Sequence, residues 1–255
     1  MLEAKSSRDR KPKHRFVDIE ASREIRKAME IAKDIPQYPV LISSKPGMGK
    51  TTALKHHAED KGTFYCEAGQ ASKSTKGMLK MLIDATGYSS GYQYIKDLSE
   101  TAIERLSVEY FGPMMIIVDE VQTLELSAFR ELLRLQEMCG FSLVLSGNDR
   151  RLARTRIQDS ALDQIVSRLG LRVELGAPTE EDCRNIGIDF DVEGKDAYDA
   201  LRNFGHQTSV RDLVRLLTFA EQLRGASGSI QMHHLKTAFL TIYGSKKDLK
   251  LLAGR

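Results

Sequence analysis

Tryptophan is absent from this chain, and cysteine is scarce: Cys66, Cys139 and Cys183 are the three. They are scattered, odd in number and without metal-ligand spacing. That excludes a disulfide framework and a thiolate zinc site, and it fits a reducing compartment. No apolar run approaches the ~20 residues that cross a bilayer, and no signal-peptide pattern opens the chain. A cytoplasmic protein with no membrane partner is therefore expected. A dominant charge sign is also missing: 38 Lys and Arg stand against 35 Asp and Glu, a formal net charge of +3. Total charge thus makes no case for nucleic acid, and any such case has to come from distribution. The 255 residues are 41% hydrophobic and 29% charged, ordinary for a globular protein of one large or two smaller domains.

One stretch stands out: Ser44-Lys45-Pro46-Gly47-Met48-Gly49-Lys50-Thr51. It lies between the apolar run Val40-Leu41-Ile42 and the helix-compatible Thr52 to Ala58. Strand, Gly-rich turn and helix form the setting that a phosphate-binding loop needs. Glycines let successive backbone N–H groups converge on phosphate oxygens, and the helix N-terminus adds its dipole. In this reading Lys50 reaches the β/γ-phosphates of ATP, the Thr51 hydroxyl ligates Mg²⁺, and Thr52 follows in the same cradle. Ser44 stands where such loops usually carry Gly. The position asks for a small residue at a tight turn, which Ser satisfies.

A second segment supports the first. Met114 to Val118 is apolar on both faces, as suits the centre of a parallel sheet, and it ends in Asp119-Glu120. Carboxylates at a strand's carboxyl end lie where open α/β sheets bind ligands. Asp119 is expected to hold Mg²⁺, and Glu120 to act as general base on the attacking water. A third strand, Phe141 to Asn148, places Asn148 at the same sheet edge as a candidate contact to the water or γ-phosphate.

Further along, residues 1–15 are basic and read as a flexible arm. Residues 20–34 carry Ile25, Ala28, Met29, Ile31 and Ala32 at helical spacing, ended by Pro36 and Pro39. Thr63 to Cys66 is a short strand. Helices are expected from Gly77 to Thr86, from Ile95 to Leu106, and from Ser127, as cap, to Met138. Val173 to Leu175 reads as the last strand, and Pro178 as a boundary. Beyond it the pattern is helical: Thr179 to Ile186, Lys195 to Phe204, Val210 to Leu223 and Met232 to Tyr243. The division is thus an arm at 1–15, an α/β nucleotide-binding domain at 16–177, and a helical domain with the C-terminal tail at 178–255.

This order resembles the AAA+ P-loop NTPase plan, with a central parallel sheet and a small helical lid. Within it, the chain resembles the transposition ATPases, the phage Mu B protein and its Tn7-type relatives. Asp119-Glu120, the segment Glu131 to Glu137, Leu143 to Asn148, Arg15-Phe16-Val17 and Ser167-Arg168 carry the likeness. Because the sequence starts a short arm before the ATPase domain, no counterpart of the separate N-terminal helix-turn-helix of the Mu protein is expected, and DNA contact is expected from the ATPase domain or the arm. The resemblance implies an ATPase stimulated by DNA or transposase, assembling with copies of itself into a filament on double-stranded DNA without sequence preference. It implies Arg168 as an arginine finger acting on a neighbouring subunit, with Arg154, Arg156 and Arg172 as rivals. It implies Arg211 as a lid sensor, Phe16 and Val17 as the adenine pocket, and Lys73, Ser74, Thr75, Lys76, Ser89, Ser90 and Tyr92 as groups that touch the DNA backbone. Two other functions fit the same residues: a nucleotide-switched adaptor with no DNA role, and a loader of a replication helicase.

Overall fold

The computed structural model describes residues 15–89, 91, 94–148, 168–225, 228–244 and 249–253. The described residues form two compact units. One runs from Ala21 to Gly176, and the other joins the residues up to Glu20 to those from Ala177 onward.

The first unit is a parallel sheet with helices, in the chain order α1 (Glu20–Asp34), β1 (Val40–Ser44), α2 (Lys50–His57), β2 (Thr63–Glu67), α3 (Thr75–Ala85), α4 (Ile95–Leu106), α5 (Val108–Phe111), β3 (Met115–Asp119), α6 (Leu126–Cys139), β4 (Ser142–Asn148) and β5 (Leu171–Glu174). The five strands lie in the order β2-β3-β4-β1-β5, every described pair parallel. The last strand, β5, runs from Leu171 to Glu174, two residues earlier at its start than the expected Val173 to Leu175. The interior strand β3, Met-Ile-Ile-Val-Asp, is buried throughout, because both its faces are covered. The edge strand β5 alternates half-buried Leu171 and Val173 with exposed Arg172 and Glu174.

Alternation along each strand divides the apolar residues between two faces. On one, Ile116, Val118, Leu143 and Leu145 join Leu79, Leu82 and Ile83 of α3, Leu98 and Ala102 of α4, and Leu132 and Leu133 of α6 in one cluster. Residues Ile117 and Val144, buried on the same strands, and Ile42 of β1 lie outside that cluster. Gly77 sits in the first turn of α3 because a one-turn 3-10 helix (Gln70–Ser72) crosses it closely. A Cβ there would overlap the Ala71 carbonyl and lie 2.8 Å from Ser72 Cα.

Two sequence expectations shift at helix starts. Ser127 does not cap α6: the helix begins at Leu126, and Glu125 occupies the cap with extended backbone and no side-chain cap bond. The strand-to-helix turn ends earlier than a capping serine would require. At α3 the cap is Ser74, whose hydroxyl accepts from Gly77 N at 3.3 Å. The helix thus starts at Thr75, earlier than the expected Gly77, and Lys73 lies outside it.

The second unit is helical: α7 (Glu180–Asp189), α8 (Lys195–Gln207), α9 (Val210–Arg224), α10 (Met232–Tyr243) and α11 (Lys250–Ala253). Thr179 and Asp182 close a capping box on α7, and Ser209 caps α9 by accepting from Asp212 N. Phe204, Phe239 and Tyr243 pack together, with centroids 4.8–6.1 Å apart. A parallel bridge between Val192 and Ile230, not legible as a strand, ties the α7–α8 turn to the segment before α10. No described helix is long and apolar enough to cross a membrane.

Candidate nucleotide site

The site is assembled at the carboxyl ends of β1, β3 and β4. Strand β1 ends in buried Ser44. The chain then turns through Gly47 and Gly49, at φ 85° and 87°, left-handed values that favour glycine. Helix α2 starts at Lys50. Lys45, Pro46 and Thr52 are exposed, while Met48 turns inward. The two glycines thus supply the positive φ values at which the turn leads from β1 into α2.

Lys50 is buried, and its ammonium donates to Ser44 Oγ at 2.6 Å and to Ser44 O at 3.4 Å. The Ser44 hydroxyl gives its own proton to Lys45 O at 2.8 Å. Its lone pairs are thus available to the ammonium. The residue in the glycine position is more than a tolerated small side chain, since it supplies an acceptor that glycine lacks.

Across the sheet, Asp119 ends β3 with no exposed surface. Its Oδ2 accepts from Thr51 Oγ1 at 2.6 Å and from Tyr65 Oη at 3.1 Å, and its Oδ1 accepts from Glu120 N at 2.9 Å. Two residues expected to hold Mg²⁺, 68 positions apart, therefore meet. The donor set is hard oxygen, which suits Mg²⁺, and the residues present fit the group.

Glu120 carries the backbone at φ 53°, ψ 34°. Left-handed values are uncommon outside glycine and concentrate at functional sites. The Glu120 carboxylate accepts from the Gln122 amide, whose Oε1 accepts from Asn148 N at 3.1 Å. Gln122 thus links the expected base to the end of β4, where Asn148 is paired in register with Ser44. Sequence reasoning missed Gln122 and Tyr65. The available signal for Tyr65 was a phenol in the strand beside the Asp-Glu strand. For Gln122, in a turn after the strand, there was none.

Burial, followed by the charges of Asp119 and Glu67, pushes the Tyr65 phenol well above its ordinary range, so it remains an O–H donor. Burial and then Asp119 push the neighbouring Cys66 thiol up to about 12.

The remaining candidates are dispersed. Arg168 is exposed and pairs with Glu137 of α6 at 2.9 Å. Arg172 is exposed on β5. Arg211 is exposed in the first turn of α9, and Phe16 and Val17 are half-buried; all three belong to the helical unit. Lys73 pairs with Glu125 at 3.6 Å, and its carbonyl accepts from Glu125 N at 2.8 Å. Thr75 and Lys76 are half-buried in the first turn of α3. Arg154, Arg156, Ser167, Ser90, Tyr92 and residues 1–14 lie outside the described residues.

A parallel sheet in this order, with a phosphate-type loop after β1 and Asp-Glu after β3, is the fold of the AAA+ ATPases. Residues 36–155 match the family described as AAA domain. Within that class the likeness is to the transposition-regulator type, at low identity. The chain is 28% identical over 142 residues to the Mu-like prophage FluMu DNA transposition protein B of Haemophilus influenzae, covering 55% of this chain and 48% of that protein. It is 30% identical over 110 residues to the nucleoside-triphosphatase THEP1 of Thermotoga maritima, covering 36% of this chain and 63% of that one. The chain thus spans less than two thirds of either relative's length. Among solved structures, the ORC2 protein of Aeropyrum pernix in its ADPNP–ADP complexes aligns with a TM-score of 0.67 at 18% identity, over 91% of this chain and 70% of that one. The Aeropyrum pernix ORC1 protein in complex with DNA aligns at 0.65 and 16% identity, over 87% and 64%. At these identities the likeness is one of fold.

Proposed function

We propose that the protein is an ATP-dependent, non-sequence-specific DNA-binding ATPase that oligomerises on target DNA and regulates transposition by recruiting or activating a transposase. The observation that carries the reading is the meeting of Thr51 with Asp119 at 2.6 Å beneath a loop whose lysine is buried. The likeness to a transposition protein B directs it toward DNA.

In this reading Ser44 to Thr52 bind the triphosphate: backbone N–H groups of the loop and the start of α2 face phosphate oxygens, and Lys50 moves from Ser44 to the β/γ-phosphates. Thr51 and Asp119 would hold Mg²⁺, which when bound supplies Lewis-acid stabilisation of charge on the phosphate oxygens. Glu120 accepts the proton of the attacking water at a carboxylate oxygen, and Gln122 together with Asn148 fixes where that carboxylate lies. The resemblance assigns Phe16 and Val17 to the base, Arg211 to sensing the γ-phosphate, and Arg168 to a neighbouring subunit's site. Lys73, Thr75 and Lys76 bind the DNA backbone, joined by Ser90 and Tyr92.

Lys73's ion pair with Glu125 favours a second reading, a nucleotide-switched adaptor without a DNA role, because a neutralised lysine gives weaker attraction to phosphates. One experiment separates the two. ATPase rate and duplex affinity are measured across a salt series for wild type and for Lys73→Ala/Lys76→Ala. Under the first reading DNA stimulates turnover, and the double variant binds all sequences more weakly and to the same degree. Its salt slope falls by about one for each phosphate that the lysines no longer neutralise. An ATPase rate indifferent to duplex DNA at low salt favours the adaptor.

A further inference from the structure

Tyr65 belongs to none of the motifs that carry the nucleotide reading, yet its hydroxyl lies 3.1 Å from Asp119 Oδ2 and 3.3 Å from Glu67 Oε2. We infer that Tyr65 is a positioning residue for the metal site, its hydroxyl holding the Asp119 carboxylate in the orientation that receives Mg²⁺. The inference rests on reading Thr51 and Asp119 as the residues that hold the ion.

A phenol has one proton to donate, and two carboxylates compete for it. Glu67 has other partners: its side chain is 51% exposed to water, and Lys55 Nζ stands 3.5 Å away. Asp119 has no exposure at all, so removing a donor there leaves a buried carboxylate oxygen short of a bond, the costlier omission. The proton therefore goes to Asp119. Register fixes the geometry. Tyr65 pairs with Ile117 and Glu67 with Asp119, so the phenol rises on the Asp119 face of the sheet, two residues before it. The ring is held in turn by the Lys55 ammonium, 5.1 Å from its centroid.

The bond matters most when the site is used. In the structure described, Thr51 donates to the same Oδ2. A Thr51 hydroxyl turned toward a ligand no longer holds Asp119, and Tyr65 is then the side-chain donor left on that oxygen. Outer-shell donors of this kind change metal affinity by about 10–100-fold when removed.

The test is Tyr65→Phe, which keeps the ring and its packing against Lys55 and removes only the hydroxyl. A fluorescent ATP analogue is titrated with the protein at a series of Mg²⁺ concentrations and in EDTA, so the readout is binding and not turnover. The Mg²⁺ concentration for half-maximal enhancement of binding is expected to rise about tenfold, while affinity in EDTA stays at the wild-type value, which also reports an intact fold. Glu67→Gln is expected to leave the Mg²⁺ requirement unchanged. An unchanged requirement in Tyr65→Phe, with Asp119→Asn strongly impaired, overturns the inference. A shift in Glu67→Gln as large as that in Tyr65→Phe also overturns it, by assigning the proton to Glu67. If Asp119→Asn is indifferent to Mg²⁺ as well, the metal reading itself fails.

Discussion

Ser44 illustrates how one residue departs from a motif and contributes something by doing so. A buried ammonium is costly without acceptors, and Ser44 provides two oxygens to Lys50, at 2.6 and 3.4 Å. Ser44→Ala is expected to lower the stability of the nucleotide-free protein by about 1–3 kcal/mol, the cost of depriving a buried charged donor of one partner. Differential scanning fluorimetry with and without saturating nucleotide checks this, because the deficit should shrink when phosphates replace the hydroxyl. Lys50→Ala differs in kind, since it is expected to abolish tight nucleotide binding. Glu120→Gln should bind normally and turn over at least about 10²-fold more slowly, because an amide cannot take the water's proton. Turnover near the wild-type rate would remove Glu120 from the base role. Lys50, Thr51, Asp119 and Glu120 were legible in the sequence because their chemistry is tied to local spacing. Tyr65 and Gln122 were not, because their roles depend on which strand lies beside which and where a turn returns.

At the scale of the element, helix starts show where pattern reading ends. The spans of α4 and α10 follow from apolar periodicity alone, since packing a face against a core imposes the period. The starts of α3 and α6 depend instead on the geometry of the preceding turn, which is why Ser74 caps and Ser127 does not. Helix α10 carries a testable cap. His234 Nδ1 accepts from Gln231 N at 3.1 Å, which requires an unprotonated ring nitrogen. Burial first, then His233 and Arg224, hold the His234 pKa below its ordinary 6.5. With the folded value depressed, the unfolded chain takes up the proton first on acidification. Stability from this group is complete above about pH 6.5 and is lost as pH falls toward the folded value. Melting temperature is thus expected to drop between pH 7.5 and 5.5. His234→Gln, which keeps an acceptor at the same position, should make that drop smaller. Equal drops in both proteins would show that the cap does not sense pH.

At the scale of the molecule, turnover should depend on assembly if Arg168 acts on a neighbour. Its guanidinium is exposed and paired with Glu137, and a surface pair of this kind contributes little, so breaking it to serve another subunit costs little. Arg168→Ala should keep nucleotide binding and lose turnover and filaments together. Mixed with Glu120→Gln protein, it should recover part of the activity at interfaces that combine one intact arginine with one intact glutamate. No recovery at any ratio moves the role to Arg172 or to Arg154. The sheet order β2-β3-β4-β1-β5 has one more outcome, which concerns the birth of the protein. Strand β1 carries the phosphate loop but pairs with β4 and β5, which the ribosome delivers roughly a hundred residues later. At about 5–20 residues per second, the loop waits on the order of ten seconds for its first neighbour in the sheet. A nascent chain released before Ser142 would hold every residue of the phosphate loop together with Asp119 and Glu120, yet it would lack the strand that lies between β1 and β3.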